Sequence, residues 1–393
     1  MTINTIAYYL GQYHPIPEND QFWGEGFSEW HNVARARPLF PGHKQPRIPG
    51  RLGFYDLRTD DTLIAQQKFA REIGVNCFCH WHYWMGGHRM LHRPLDRMLE
   101  LPDQGVKFML GWANESWTGA WHGLNDEIIV EQSYGQAELA GHARLLARYM
   151  RNDRYLSTPR GRPFLIYKPR KLIDPVSYLG ELRDRVRSEA GVELYLIGTW
   201  GPGRSERFES PKDLGLDAAV INNVGKYYPS VRSQSFYAAK SAVLKRLSIG
   251  PELRPYTDTL KTLELGRHDV NGAAHSTIVT DWDNTPRSGR RGLVLRGYSP
   301  ENFALAIRLA VQLEQTNDPA LLFIKSWNEW AEGNTLEPGF NEQWSAADVF
   351  AAEIGRGSNQ PKASSSIDPG PETEEDLDQI VSAASVSPKP RSA

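Results

Sequence analysis

Cysteine is nearly absent from this chain: 393 residues hold only two, Cys77 and Cys79. Two residues apart on a strand they would share a face, yet they could not bridge each other. A disulfide-stapled fold is therefore excluded, and both are expected as reduced core residues. Also missing is any run of the roughly 18 to 20 apolar residues that a membrane span requires. No charge of one sign dominates either. Lys and Arg number 45 against 47 Asp and Glu, the formal net charge is -2, and no like-charged block interrupts the first 350 residues. That balance denies a nucleic-acid partner its basic face. The start, Met1-Thr2-Ile3-Asn4, has neither the charged region nor the apolar run of a signal peptide, so a cytoplasmic protein is expected.

What is present is a regular alternation. Short apolar, β-branched or aromatic runs recur at Ile6–Leu10, Val75–His80, Lys107–Gly111, Pro163–Tyr167, Glu193–Gly198, Ala218–Asn222, Ser276–Thr280 and Leu321–Ser326. Each reads as a buried strand. Helical patterns lie between most of them. Asp60–Ile73 opens on acidic residues and stops at Gly74. Asp174-Pro175 opens a helix with Leu179, Leu182 and Val186 on one face, ended by Gly191. Ser299-Pro300 opens another, with Phe303, Ile307, Ala310 and Leu313 on its core side. Eight strands alternating with helices predict an α/β fold, a single (β/α)8 (TIM) barrel. The competing fold, a doubly wound open sheet, wants a glycine-rich phosphate turn after the first strand, and Gly11-Gln12-Tyr13-His14 does not fit one. Long loops follow strands one (Gly11 to Thr59) and six (Val224 to His275). After about Gly355 the composition turns to Ser, Pro, Gly, Asp and Glu. The expected division is a catalytic domain over 1–355 and a disordered tail over 356–393.

Tryptophan is abundant and unevenly placed. Of the 12 Trp, all but Trp344 fall at or after the ends of predicted strands, the end of such a barrel where active sites lie. Rings that also offer an N–H suit sugars, with their apolar faces and hydroxyl rims. Acidic and polar residues share that location. Strand three ends in Trp112-Ala113-Asn114-Glu115-Ser116-Trp117, strand seven in Asp281-Trp282-Asp283-Asn284, and strand eight in Trp327-Asn328-Glu329-Trp330-Ala331-Glu332-Gly333. The first loop adds Gln12, His14, Glu29 and Trp30. Cleaving a glycosidic bond needs two carboxyl groups. Glu329 and Glu332, three apart, become neighbours if Gly333 closes a helical turn. They are the expected catalytic pair, with Gln12, His14, Glu29, Trp30, His80, His82, Trp84, Trp112, Asn114, Glu115, Trp117, Asp281, Trp282, Trp327, Asn328 and Trp330 as expected substrate contacts. His80-x-His82 could hold a metal, but further histidines at later strand ends are wanting, so no metal or other cofactor is expected.

These motifs carry a resemblance. Ala7 to Asp20, Trp23-Gly24-Glu25-Gly26-Phe27-Ser28-Glu29-Trp30, Leu52 to Leu57, His80 to Trp84, Gly111 to Trp117, Trp282-Asp283-Asn284-Thr285 and Trp327 to Gly333 follow one another as in the WbsX-like family. The chain resembles that family over roughly residues 5 to 340, and the family is related to glycoside hydrolase family 99. Gly86-Gly87-His88 and Ser116 depart from its usual pattern. The resemblance implies a (β/α)8 barrel and retaining, endo-mannosidase-type chemistry on a polysaccharide or lipid-linked glycan. It further implies that Glu329 is the base that deprotonates a sugar 2-hydroxyl and Glu332 the acid, with the acid expected to have the raised pKa. WbsX-like proteins are linked to O-antigen, lipopolysaccharide and other polysaccharide biosynthesis, and some are called glycosyltransferases. A glycosyltransferase or transglycosidase is thus the first alternative, and a carbohydrate-binding barrel that has lost catalysis the second.

Overall fold

The computed structural model describes residues 3–118, 128–201, 210–222, 224, 250–268, 270–340 and 342–358. The predicted runs become β1 (Asn4–Tyr9), β2 (Cys77–Met85), β3 (Lys107–Trp112), β4 (Arg162–Ile166), β5 (Leu194–Trp200) and β6 (Ala218–Ile221). They continue with β7 (Ala274–His275), β8 (Thr277–Val279) and β9 (Leu321–Lys325). These nine segments pair in parallel in the order β7-β6-β5-β4-β3-β2-β1-β9-β8. The seventh predicted strand is thus split. Its first half pairs with β6 (His275 opposite Val220) and its second with β9 (Thr277 opposite Phe323). Only Ser276 separates the halves, so both ends of the sheet meet in one stretch of chain and the sheet closes as a barrel.

Helices cover the outside: α1 (Asp60–Glu72), α2 (Arg93–Glu100), α3 (Gln136–Met150), α4 (Pro175–Ala190), α5 (Thr257–His268), α6 (Pro300–Glu314) and α7 (Ala346–Ser358). Their ends follow local chemistry. Asp174 caps α4 by accepting from the Ser177 amide at 3.2 Å, Pro175 stands where no amide partner is needed, and left-handed Gly191 closes the helix. Ser299 caps α6 in the same way. Helix α7 runs to Ser358, across the boundary expected at Gly355. The rest of the expected tail, Lys226-Tyr227-Tyr228 and Trp121 lie outside the described residues.

The split strand is held by one buried carboxylate. Glu314, at the end of α6, accepts from the Ser276 amide (2.7 Å), Arg267 (3.0 Å), Asn317 (2.8 Å), His275 (3.1 Å) and the Leu321 amide (3.2 Å). Burial opposes its charge, but these donors prevail and hold it below its ordinary value of 4.5. A depressed carboxyl stabilises the fold above its unfolded pKa, and that contribution is lost as pH falls through the folded value. Glu314→Ala should therefore cost about 3–5 kcal/mol at neutral pH, the usual result of stripping one partner from a buried charge network. In thermal melts the gap from the parent should narrow below pH 4.5; a gap independent of pH would mean that packing, not charge, closes the seam.

Side-chain alternation decides what reaches the barrel interior. A Cβ at Gly111 would lie 3.0 Å from the Cys79 sulfur and 3.4 Å from the Trp81 ring, so residues 79, 81 and 111 point inward. Tyr8 stacks on Trp81 from the neighbouring strand, with centroids 5.2 Å apart. Both cysteines are free and fully buried, as expected. The residues between, His80, His82 and Trp112, face the helices.

Candidate active site

At the C-terminal mouth of the barrel, inward-facing positions line a cleft of about 750 Å³, its open entrance included. Leu10 and Gln12 continue β1. Trp81, Tyr83 and Met85 come from β2, Ala113, Glu115, Ser116 and Trp117 from beyond β3, and Tyr167 from beyond β4. Lys325 ends β9, and Glu29, Arg287, Glu329 and Glu332 complete the wall.

The two glutamates sit as the three-residue spacing foretold. Trp330–Glu332 is one 3-10 turn, a geometry that eclipses i and i+3, and Gly333 ends it at φ 68. A side chain at Gly333 would collide with Asp283, whose backbone nitrogen would lie 2.9 Å from its Cβ. Glycine is required there by both conformation and contact. The turn is clamped from behind. Tyr13 donates to the Asn328 carbonyl (2.5 Å) and accepts from the Trp330 amide (3.1 Å), while the Trp330 indole donates to Glu337 (2.8 Å). Glu337 also accepts from Tyr55 and Gln66, and burial raises it to about 7.

Arg287 binds the site together. Its Nη1 donates to Glu332 (2.6 Å), its Nη2 to Glu329 (3.3 Å) and its Nε to Glu29 (2.7 Å). Three carboxylates thus converge on one planar guanidinium, whose fork of donors fixes their relative positions. Lys325 stands 3.9 Å from the other oxygen of Glu332, and the Trp81 indole donates to Glu329 at 3.3 Å. Burial, and then the charge of Glu332, raise Glu329 to about 7 against the pull of Arg287. The carboxyl with the raised pKa is therefore Glu329, where the expected acid was Glu332. The cause is the enclosure of Glu329 and the neighbouring charge of Glu332, which outweigh its contacts with Arg287 and Trp81.

Of the expected site residues, Gln12, Glu29, Glu115, Trp117, Glu329 and Glu332 line the cleft. The others do not. His80 and His82 face outward, where burial drives both imidazoles down to about 3 and keeps them neutral. His82 bonds to His142 of α3 at 3.0 Å, and Trp84 and Trp112 pack against the same imidazole. Trp327 is fully buried against Phe69 and Phe78, and Trp330 lies under Trp30. Asn328 clamps both backbone polar groups of Leu10, and Asn114 does the same for Lys168. His14 is buried, which lowers it to about 4. Trp282 lies beneath Lys325, and Asp281 pairs with Arg47 on the far side of the wall. For His80, His82, Trp84 and Trp112 the cause is one: strand-end residues were taken as a block, whereas alternate ones face opposite ways. Read by alternation, Trp81 and Tyr83 replace His80, His82 and Trp84. Arg287 was missed because nothing in Thr285-Pro286-Arg287 marks it apart from an ordinary surface turn.

The correction for Trp112 has a measurable form. Trp112→Ala should destabilise the fold by about 3–5 kcal/mol, as large-to-small core changes do, whereas Trp117→Ala, at the cleft wall, should chiefly weaken ligand binding. Equal losses of melting temperature would show that Trp117 is also a packing residue.

Residues 5–347 match the family described as Glycosyltransferase WbsX. An uncharacterized protein, WxcX, of Xanthomonas campestris pv. campestris is 34% identical over 341 residues, which cover 85% of this chain and 47% of that protein. The chain therefore spans about half the length of the curated relatives it matches. Among solved structures, a glycoside hydrolase-like protein is similar at a TM-score of 0.55 and 15% identity, over 90% of this chain and 94% of that one. The GH99 endo-alpha-mannosidase from Bacteroides thetaiotaomicron is similar at 0.51 and 14% identity, over 90% and 97%. At such identities the likeness speaks to the barrel fold.

Proposed function

The chain belongs to the WbsX family, and with that membership and the cleft as premises we propose that it is a carbohydrate-active enzyme that cleaves a glycosidic bond with retention of configuration. The observation that carries this is the pairing of Glu329 with Glu332 through Arg287, at the end of the last barrel strand, in a cleft walled by Trp81 and Trp117. Glu329, raised to about 7 by burial and by the charge of Glu332, is a carboxyl that binds and releases a proton near neutrality. A base and an acid acting in one event need that proton on the acid, so this reading has it pass from Glu329 to Glu332 as substrate binds. In this reading Glu329 takes the proton of the sugar 2-hydroxyl, whose oxygen attacks the anomeric carbon, and Glu332 protonates the departing oxygen. Water entering along the reverse path completes hydrolysis with net retention. The substrate is an oligosaccharide or polysaccharide of mannose-like 2-hydroxyl geometry.

The family description favours a second reading, transfer to a sugar hydroxyl in polysaccharide assembly. Both are tested together by incubating the protein with neutral oligosaccharides and, separately, with sugar nucleotides. New reducing ends, with the anomeric configuration retained by NMR, are expected in the first. Consumption of a sugar nucleotide with no hydrolysis would instead make the chain a glycosyltransferase, and binding without any product would make it a carbohydrate-binding barrel.

A further inference from the structure

A second and larger cavity lies behind the wall that carries the catalytic turn. It encloses about 1880 Å³, open mouth included, between the first loop at Phe40–Ile48, the strand Val294–Leu295 and the segment leading into α7. Thr280 to Asp283 divides the two spaces. Asp281 and Asp283 face the second cavity, while Arg287, four residues on, faces the cleft.

Its lining has a definite chemistry. The rings of Phe40, Tyr298, Phe340 and Trp344 contribute to its walls, and Phe340 is 71% exposed. Three cations (Lys44, Arg47, Arg296) meet three carboxylates (Asp281, Asp283, Glu342). A phosphate or nucleic acid would require an excess of cations, and a lipid chain would be poorly served by so many interleaved charges. Rings alternating with donors and acceptors, at no net charge, fit a neutral polyhydroxylated ligand. The polar groups are already fixed in place. Arg47 pairs with Asp281 at 2.6 Å, and Asp283 accepts from Gln45 (2.6 Å) and His43 (2.7 Å). Gln45 is 7% exposed, yet its carbonyl oxygen has no partner among the described residues, and the same holds for the Tyr298 hydroxyl. Buried polar atoms of this kind call for a hydrogen-bonding ligand or solvent. Arg47 also donates to the Gly333 carbonyl at 2.9 Å, so the cavity touches the catalytic turn itself.

We propose that this cavity is a second glycan-binding site, which holds a neutral stretch of the polysaccharide remote from the bond being cleaved. The proposal rests on the carbohydrate-active reading above. It makes the enzyme selective for long chains, because only they reach both spaces at once and gain from joined binding events.

The test is an array of neutral oligosaccharides, from single sugars to long chains, probed with the parent protein and with F340A/R296A. Both altered side chains are exposed and outside the catalytic cleft, and a melting curve checks that the fold is kept. Long glycans should bind the variant about tenfold or more weakly, a loss near 1.4 kcal/mol, while short ones bind both proteins alike. Equal binding of every length by parent and variant would overturn the second site and leave the proposed function standing. Equal loss at all lengths would overturn it as well, since the cavity would then belong to the primary site. Absence of glycan binding by either protein would sink both readings.

Discussion

Glu329→Gln is expected to abolish turnover of natural and activated glycosides alike, whereas Glu332→Gln should recover much of its loss when the leaving group is good. An activated leaving group departs without a proton, so it bypasses the acid and cannot bypass the base. The loss on natural substrate should be roughly 10²–10⁴-fold for each, the usual contribution of a positioned proton transfer. The pH profile of kcat/KM decides the roles independently. A base must be ionised, so with Glu329 as base, held at about 7 by burial and by the charge of Glu332, activity climbs as pH rises through that value. The climb should vanish in Glu329→Gln. Activity that instead falls through pH 7 would exchange the two roles, making Glu329 the proton donor. Normal turnover of a 2-deoxy substrate would remove the 2-hydroxyl from the mechanism and leave direct carboxylate attack.

Arg287→Met should be the most damaging single change in the cleft. It removes the only guanidinium shared by Glu29, Glu329 and Glu332 among the described residues and leaves three buried carboxyls facing one another. Stripping the partner from buried charges costs about 3–5 kcal/mol. The three can relieve the strain only by taking up protons, so their pKa values rise in the folded variant. Groups with raised carboxyl pKa values destabilise the fold progressively as pH climbs past the unfolded range, because the unfolded chain loses those protons first. The variant should thus melt near the parent around pH 5 and well below it at pH 8. Matched melting temperatures at both values would mean that the three carboxyls find other partners.

Much of this architecture was legible before any coordinates. The apolar runs at Ala218–Asn222 and Leu321–Ser326, and the caps Asp174 and Ser299, state their roles locally, because a buried strand or helix start depends on near neighbours. The Glu329-to-Glu332 spacing was legible for the same reason: a turn of three residues closed by Gly333 is a local event. The direction in which His80 or Trp112 points is not local. It depends on which alternate set meets Gly111 and Tyr8 inside the barrel, a fact that only the pairing of β2 with β1 and β3 supplies. Arg287 is further still from local inference. It reaches Glu29 across 258 residues of chain, and its burial follows from three carboxylates brought to it by separate elements. Trp344, the one tryptophan set apart by position, lines the second cavity for an equally nonlocal reason.

The strand broken at Ser276 has a consequence for how the protein fails. A closed ring offers no edge for another chain to extend. Here the closure hangs on short pairings, two residues against β6 on one side and three against β9 on the other. If Glu314 lets go of Ser276 and Leu321, the ring parts at that point first. It then bares the flank of β6, Ala218–Ile221, and that of β9, Leu321–Lys325, whose residues are apolar except for Lys325. Two open, charge-poor edges facing the same gap are a template for pairing between molecules. Aggregation should therefore begin at this seam as pH falls below 4.5, before the rest of the barrel has unfolded.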